Sequence, residues 1–296
     1  MTAAIYEISP DIETPDDFRA SATLLASAME SYTKTASGIL TTLPCSVSYL
    51  PLCSIMSPST MDRLSSLIPQ PSDGATPYAN LRHRLLTKQF ERGSRLGQIE
   101  YNFDTSNYSP FFVSEPGKKY ATMWQMLQYP FSVGSIHIPP RVNSESRTTV
   151  NDKPVINPKY YQGQGGEVDF QIMVAAQNFG HKITRTSPLS SVIVKQVFPP
   201  LPENEQVEKE DLSDYVRNHT ITDWHPVGTC SMGPPPDGNG PGGVVDTRLR
   251  VHGVKSLRVI DASIMPLHVS AHIQATVYAI AEKGASMILE DLDNKI

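Results

Sequence analysis

Residues 222–233 have the sequence TDWHPVGTCSMG, and this stretch decides the fold that the chain is expected to adopt. Pro226 and Gly228 interrupt any regular helix or strand, so the stretch is predicted to be a loop. A loop that carries Trp224 and His225 is either folded into the interior of the protein or built around something that it binds.

Two regular elements are predicted after this loop. Leu257 to Ile260 form an apolar run without alternation, which is typical of a strand buried on both faces, and Asp261 ends it. From Ile273 onward, apolar residues recur at helical spacing, so a helix begins there with His272 at or near its N-terminus. Polar side chains are therefore expected at the end of the strand and at the start of the helix.

His225 and His272 are the candidate catalytic residues, 47 positions apart (272 − 225). A helix N-terminus carries unpaired N–H groups and a positive dipole end, and a neutral imidazole beside an alcohol can act as a general base. From the chemistry alone, a buried histidine with satisfied hydrogen bonds is the more common explanation of either residue. Asp261 is equally consistent with a ligand contact at the end of a strand and with a capped turn.

Three segments of this region resemble the C-terminal end of the glucose–methanol–choline (GMC) oxidoreductases, FAD-dependent enzymes that oxidise alcohols and sugars. They are HPVGTCSMG (225–233), GGVVDTRLRVHGVKSLRVIDASIMP (242–266) and SAHIQATVYAIAEKGASMIL (270–289), in the family's order and at its spacing. Upstream, YPFSVGSIHI (129–138) is similar to the family's Pro-x-Ser-x-Gly-Ser strand, although Val133 stands where an arginine is common. Residues 154–180 resemble the family's Pro-rich approach and the helix that follows it.

The resemblance implies roles for particular residues. His225 matches the catalytic histidine that accepts the substrate hydroxyl proton while the substrate carbon gives hydride to flavin N5. His272 matches the second active-site residue, a histidine or an asparagine in the family, which hydrogen-bonds the alcohol. Cys230 lies in the same motif and is interpreted as a packing residue, not as a nucleophile. The resemblance also implies three pairs of residues at the FAD: Asp261 and Ala262 at its ribityl and phosphate part, Ile273 and Gln274 beside the isoalloxazine ring, and Arg250 and Val251 near the place of the oxidative half-reaction.

The family's Gly-rich dinucleotide unit, G-x-G-x-x-G between a strand and a helix, is not found in this sequence. The nearest candidate, GQGG at 163–166, lacks the third glycine and follows no apolar strand. The expected fold is therefore α+β, a partial GMC fold. An antiparallel sheet backed by helices is expected over residues 1–221, the substrate-binding portion. Residues 222–296 would form the C-terminal segment, whose strand and helix return to an FAD-binding α/β domain and leave apolar faces that need a cover.

The pattern upstream predicts further elements. The predicted helices span residues 15–36, 61–69, 76–92 and 166–186, and the predicted strands lie at 97–103 and within 119–138. Irregular structure is expected at residues 37–60, at 141–158, and around Pro188 and Pro199 to Pro202. The acidic stretch 202–214 is expected to be a solvated loop leading into a helix. The first residues, MTAAIYEISPDIETPDD, resemble an internal strand-to-helix passage of the family.

Composition limits the classes of partner. The 296-residue chain has a formal net charge of −5 and no cluster of Lys and Arg, so nucleic acid is not expected as a partner. No apolar run reaches the roughly 18 residues of a membrane span and no secretory signal is recognised, so no membrane is expected and the localisation stays open. Cys45, Cys53 and Cys230 lack a paired spacing and are expected to be buried thiols, with a Cys45–Cys53 bridge as the alternative and no metal site.

Three functions follow from these observations. The first is an FAD-dependent alcohol dehydrogenase or oxidase with a small-molecule alcohol as substrate. Because the Gly-rich unit is missing, this hypothesis calls for a complementary N-terminal FAD-binding polypeptide. The second is a non-redox lyase or cyclase on the same scaffold, whose activity would survive removal of flavin. The third is a non-catalytic remnant or interaction module, which would tolerate loss of both histidines. The substrate and the electron acceptor are not specified by the sequence.

Overall fold

The structure is a computed structural model that describes residues 1–41, 43, 45–71, 75–91, 94–140, 148–163, 165–201, 212–236 and 242–293. The chain divides into two compact units. Unit 1 comprises Met1–Met56, Gly97–Leu127 and Phe170–Ile221, and unit 2 comprises Ser57–Leu96, Gln128–Asp169 and Thr222–Ile296. One junction of the units falls between residues 221 and 222. The assignment of residues 1–221 to substrate binding and of 222–296 to completing an FAD domain stays a prediction.

The regular elements are numbered in chain order. The strands are β1 (Thr2–Ile8), β2 (Cys45–Leu50), β3 (Ile99–Asp104), β4 (Lys119–Leu127), β5 (Ser135–His137), β6 (Val155–Asn157) and β7 (Ile193–Phe198). The helices are α1 (Pro15–Ala20), α2 (Ala22–Thr35), α3 (Leu52–Ile55), α4 (Pro58–Ser66), α5 (Pro77–Lys88), α6 (Gly166–Thr184), α7 (Ser213–His219) and α8 (Gln274–Asp293). Short 3-10 turns lie at Ile39–Thr41, Leu189–Ser191 and Ala262–Ile264. This mixture of antiparallel strands and helices confirms the predicted α+β class.

Unit 1 is built on an antiparallel five-stranded sheet with the order β2-β3-β4-β1-β7. The central strands β1 and β4 are apolar along most of their length and buried on both faces, as expected for the middle of a covered sheet. In the register, Thr2 lies opposite Gln125 and Ile5 lies opposite Phe198. The part of α6 that belongs to unit 1 is tied to this sheet, because the Tyr101 hydroxyl donates to the Ala176 carbonyl oxygen at 2.9 Å.

Unit 1 confirms the predicted strand-to-helix passage at its first residues and corrects two expectations. The helix predicted over 15–36 is two helices, because Ser21 leaves the helical conformation and its hydroxyl caps α2 by accepting from Leu24 N at 3.3 Å. The edge strand β2 lies in a region predicted to be irregular, whereas β7 lies between the connectors predicted around Pro188 and at Pro199 to Pro202, where no element was predicted. Among the described residues each pairs with one neighbour, and both strands are exposed or half-buried along their length, so neither shows the apolar pattern of a buried strand.

Unit 2 contains α4, α5, the two-stranded ribbon of β5 and β6, and α8. The predicted helices at 61–69 and 76–92 and the helix from Ile273 are confirmed, with shifted ends. β6 lies inside the stretch 141–158 that was expected to be irregular. Residues 141–147 of that stretch lie outside the described residues.

The strand predicted at Leu257–Ile260 is wrong. The structure has only an isolated bridge there, between Arg258 and Arg250, and the side chain of Leu257 is 49% exposed. Ile260 packs instead on the apolar cluster that includes Met287 of α8. The apolar character of this run is therefore explained by its contact with α8, and no strand is needed to account for it.

One face of α8 is apolar and uncovered. Tyr278 is 66% exposed, Leu289 is 62% exposed and Leu292 is 54% exposed. This agrees with the expectation that the C-terminal helix presents an apolar face that needs a cover. Within the described chain, no helix combines the length and the apolar character that crossing a membrane requires.

Two other predictions are settled only in part. None of the three cysteines forms a disulfide; Cys45 and Cys230 are half-buried, whereas Cys53 is exposed and not the buried thiol that was expected. Of the acidic stretch 202–214, residues 202–211 lie outside the described residues, and α7 begins at Ser213. Gln164 of the GQGG candidate also lies outside them.

Candidate active site

The stretch 222–233 is a loop, as predicted, and it lies alongside the 3-10 turn Ala262–Ile264. Cys230 N donates to the Ser263 carbonyl oxygen at 2.9 Å, and Met232 N donates to the Ile264 carbonyl oxygen at 2.8 Å. These two bonds hold the C-terminal half of the loop in unit 2. The side chain of Trp224 is 71% exposed, so this residue does not anchor the loop in an interior.

The imidazole of His225 is oriented by Asp223, a residue that the sequence analysis missed. His225 Nδ1 and Asp223 Oδ2 are 2.8 Å apart, and both side chains are half-buried. A carboxylate only accepts hydrogen bonds, so His225 Nδ1 donates and its Nε2 carries the lone pair when the ring is neutral. An acid two residues before the histidine is the only sign of this pair in the sequence.

His272 lies two residues before the start of α8 and is exposed. The ring centroids of His225 and His272 are 5.3 Å apart and the rings are inclined by 50°. A hydrogen-bonded oxygen lies about 4 Å from an imidazole centroid, so one oxygen can contact both rings when the centroids are less than about 8 Å apart. The structure therefore brings together the two histidines that were predicted to share a substrate oxygen.

His268 is a third imidazole at this place and was also missed. Its ring centroid is 6.0 Å from that of His225. The ring nitrogen Nδ1 of His268 donates to the Val269 carbonyl oxygen at 2.6 Å. The segment that carries His268 and His272 is joined to the segment 129–138, because the Tyr129 and Ser270 hydroxyls are 3.0 Å apart. Within the described chain, no group of three or more His, Cys, Asp or Glu side chains is arranged to hold a metal ion.

The predicted FAD contacts of Asp261 and Ala262 lie at the 3-10 turn. Asp261 caps this turn, since its Oδ1 accepts from Ser263 N at 2.8 Å and from the Ser263 hydroxyl at 2.5 Å. Its carboxylate is thus turned back on the chain, and what the turn offers a ligand is backbone and the small side chain of Ala262. This fits the flank of a flavin.

The predicted contacts beside the isoalloxazine ring lie at the start of α8. Ile273 is buried and Gln274 is exposed, so of these two side chains the Gln274 amide is the one on the outside. Both groups are neutral and can border a ring system. Neither supplies a cation for a pyrophosphate, so these residues fit the flavin end of FAD and not its ADP end.

Arg250 and Val251 are engaged elsewhere. Arg250 Nε donates to Asp246 Oδ2 at 2.8 Å, with the guanidinium mostly exposed. Val251 packs on the buried cluster that includes Val245 and Leu249. The described contacts of these two residues do not reach the imidazoles, and their role in an oxidative half-reaction stays a prediction.

A buried carboxylate holds the segment 129–138 against the first turn of α6. Asp169 accepts from Phe131 N at 2.8 Å, from Ser132 N at 2.7 Å and from the Ser132 hydroxyl at 2.5 Å. Burial raises the pKa of Asp169 to about 6, against the opposing effect of these hydrogen bonds and of the Arg82 charge. The segment 129–138 lies close to the residues just before α6, since a Cβ at Gly165 would lie 2.4 Å from Phe131 Cβ.

Comparison with known proteins places this site in a family. The family model described as GMC oxidoreductase matches residues 130–281, about half of the 296 residues, and this range includes Asp223, His225, His268 and His272. Dehydrogenase citC of Monascus ruber is 28% identical over 308 aligned residues, which cover 98% of this chain and 46% of that protein. Versicolorin B synthase stcN of Emericella nidulans is 34% identical over 179 aligned residues, which cover 60% of this chain and 26% of the synthase.

A solved structure shows the same fold. An FAD-dependent oxidoreductase from Chaetomium thermophilum superimposes with a TM-score of 0.68 at 20% identity, covering 98% of this chain and 47% of that one. The chain thus spans about half or less of the length of the relatives that it matches.

Proposed function

The chain belongs to the GMC oxidoreductase family, and on this premise we propose that it is part of an FAD-dependent dehydrogenase or oxidase acting on a CH–OH group. The observation that supports this most is the pair of imidazoles, His225 and His272, with ring centroids 5.3 Å apart. The substrate class is a small-molecule alcohol, because one hydroxyl oxygen can meet both rings.

The two histidines have different roles in this proposal. His225 Nε2 takes the proton of the substrate hydroxyl, since its Nδ1 is engaged by Asp223. His272 donates or accepts a hydrogen bond at the same oxygen and sets the direction of the C–H bond. The bound FAD would supply the acceptor for the hydride that leaves the same carbon.

The proposal includes a complementary N-terminal polypeptide that binds FAD. The exposed apolar face of α8, with Tyr278, Leu289 and Leu292, supports a covering partner. The chain's residues fit the flavin end of FAD, and the Gly-rich unit for the ADP end is not in its sequence.

The test is flavin absorbance during anaerobic addition of alcohols, on the chain with added FAD and on its complex with an FAD-binding polypeptide. The flavin band is expected to bleach in the complex. His225→Asn should slow bleaching by about 10²–10⁴-fold, the usual contribution of a general base. His272→Asn should have a smaller effect, because an amide can still hydrogen-bond the alcohol.

His137→Gln is the matched control, because His137 lies exposed on β5 and outside the imidazole pair. It should bleach at the unaltered rate. An unaltered rate in His225→Asn would refute the proposal, because the alcohol would then be oxidised without His225 as the base.

A non-redox lyase or cyclase is the second candidate. It is favoured by the similarity to a protein named a synthase, at 34% identity over 179 residues. The same alcohols, incubated with flavin-free protein, distinguish the two: turnover without flavin that depends on His225 supports the second candidate and excludes the first.

A further inference from the structure

We propose that Asp223 is the positioning residue of this site: it holds His225 with the ring proton on Nδ1, so that Nε2 faces the substrate as a base. The inference rests on the proposed function for its consequence in catalysis. Its structural part, the tautomer of His225, stands independently of the reaction.

The geometry of the pair carries the inference. His225 Nδ1 and Asp223 Oδ2 are 2.8 Å apart, and the exposed fractions of the two side chains are only 24% and 27%. A neutral imidazole has one donor and one acceptor nitrogen, and the carboxylate has acceptors only. The Nδ1–H tautomer is the one that makes this bond.

The backbone between the two residues is bent to make the pair. Trp224 has φ of 53°, in the left-handed region that a bulky L-residue rarely adopts. Its N–H donates to the Thr222 hydroxyl oxygen at 3.0 Å, which closes the turn on its N-terminal side. Because the Trp224 side chain is 71% exposed, its own packing does not explain the conformation, whereas the Asp223–His225 bond across it does.

A fixed negative charge beside His225 would stabilise the protonated form of its ring. The other titratable rings that face it are His272 at 5.3 Å and His268 at 6.0 Å between ring centroids. Neither ring can offset the positive charge that His225 acquires when it takes a proton. Asp223 can, because its carboxylate is hydrogen-bonded to Nδ1 and attracts the positive charge of the ring.

The proton and electron balance is simple. The hydroxyl O–H bond breaks and its proton forms an N–H bond at His225 Nε2, while the carbon–oxygen bond becomes a carbonyl; a bound flavin would supply the acceptor for the hydride of the broken C–H bond. Asp223 keeps its charge throughout and takes no proton. His225 becomes an imidazolium with both nitrogens protonated, and it loses one proton to solvent before the next turnover.

The first experiment measures the tautomer directly. Histidine with NMR-active nitrogen is incorporated into the 296-residue chain, and the ring nitrogens are recorded at a pH where the imidazoles are neutral. The signals of His225 among the eight histidines are assigned by their loss in His225→Gln. The expected spectrum has a protonated Nδ1 and an unprotonated Nε2 for His225.

The second experiment relates the tautomer to rate. Asp223→Asn should shift His225 toward the other tautomer and lower kcat of the FAD-loaded complex by about 10–100-fold, part of the 10²–10⁴-fold range of a general base, with KM nearly unchanged. Asp223→Glu should retain part of the Nδ1–H tautomer of His225 and part of the kcat that Asp223→Asn loses. Asp152→Asn is the control, because Asp152 is an exposed loop aspartate of unit 2 that accepts from Thr149 N at 2.6 Å and touches no imidazole.

The outcomes separate the claims. A protonated Nε2 in the unaltered chain would overturn the inference, and so would an unaltered kcat in Asp223→Asn once the tautomer has shifted. Equal near-ultraviolet circular dichroism of the variants shows that folding is not the cause. If the unaltered complex does not oxidise alcohols but His225 has the expected tautomer, the proposed function fails and the pairing stands.

Discussion

Asp169 is the residue whose replacement tests the structure most sharply. Its carboxylate accepts three hydrogen bonds from Phe131 and Ser132 and is buried. In Asp169→Ala two backbone N–H groups lose their acceptor. An unpaired buried donor costs about 1–3 kcal/mol, so the free energy of unfolding should fall by about 4 kcal/mol. Asp169→Asn keeps one acceptor oxygen and should lose less.

The same carboxylate predicts how stability depends on pH. The pKa of Asp169 is about 6 in the folded chain, and an aspartate in the unfolded chain titrates near its ordinary value. The folded state therefore binds the Asp169 proton more tightly than the unfolded state does. The stabilisation that comes from this tighter binding is present at low pH and is lost as the pH rises toward and through 6. A difference of about 2 pH units corresponds to about 3 kcal/mol.

The assay is urea denaturation at a series of pH values, followed by circular dichroism, for the unaltered chain and for Asp169→Asn. The difference in unfolding free energy between the two should change by about 3 kcal/mol from about pH 4 to about pH 8, with the unaltered chain relatively more stable at low pH. Glu167→Gln is the control, because Glu167 lies in the same first turn of α6 and is exposed. This control removes a carboxylate from the same turn but leaves the bonds of Asp169 to Phe131 and Ser132 in place.

A difference between the chain and Asp169→Asn that is constant with pH would refute the reasoning. A difference that runs the opposite way would show that the hydrogen bonds and Arg82 outweigh burial and lower the pKa of Asp169.

Two further substitutions test local geometry. Trp224→Gly should leave stability unchanged or raise it by up to about 1 kcal/mol, because glycine accepts the positive φ and the lost side chain is exposed; Trp224→Ile should lower it by about 1–2 kcal/mol. Gly284→Ala should lower stability by about 1 kcal/mol, because its Cβ would lie 2.5 Å from Ile260 Cγ2 and this overpacking exceeds the gain in helix propensity. Both are measured by urea denaturation.

Each of the two has its own internal comparison. Equal stability of Trp224→Gly and Trp224→Ile would mean that the left-handed conformation is not held in solution. For Gly284→Ala, the loss should largely vanish in the background Ile260→Ala, which removes the opposing methyl groups. If Gly284→Ala lowers stability by the same amount in the Ile260→Ala background, the clash lies elsewhere on α8.

Periodicity predicted the long helices and the strands β3 and β4, and it failed at the edges. The helix from Ile273 was predicted because its apolar residues recur at one spacing over many turns. The edge strands β2 and β7 were missed because a strand with one neighbour and much exposed surface has no apolar alternation to detect. Leu257–Ile260 was taken for a strand because an apolar run does not reveal whether a sheet or a helix covers it.

The candidate site was predicted as far as motifs extend. His225 and His272 were identified by resemblance, and the structure brings their rings together. Asp223 and His268 were missed because their roles depend on how the chain turns, and no spacing rule encodes that. An acid in the first turn of a helix, such as Asp169, is expected to complement the dipole, so its bonds to a distant segment could not be foreseen.

The position of β1 in the sheet has a consequence for how the chain is made. β1 lies between β4 and β7, and its partners come late: Thr2 pairs with Gln125 and Ile5 with Phe198, which are 123 and 193 residues further along (125 − 2 and 198 − 5). During synthesis, β1 leaves the ribosome with both edges unpaired and must wait for β4. The β2–β3 pair can form earlier, before β4 is made. An apolar strand that waits so long is a site for mispairing between nascent chains, so slow translation before β4 should increase the dependence on chaperones.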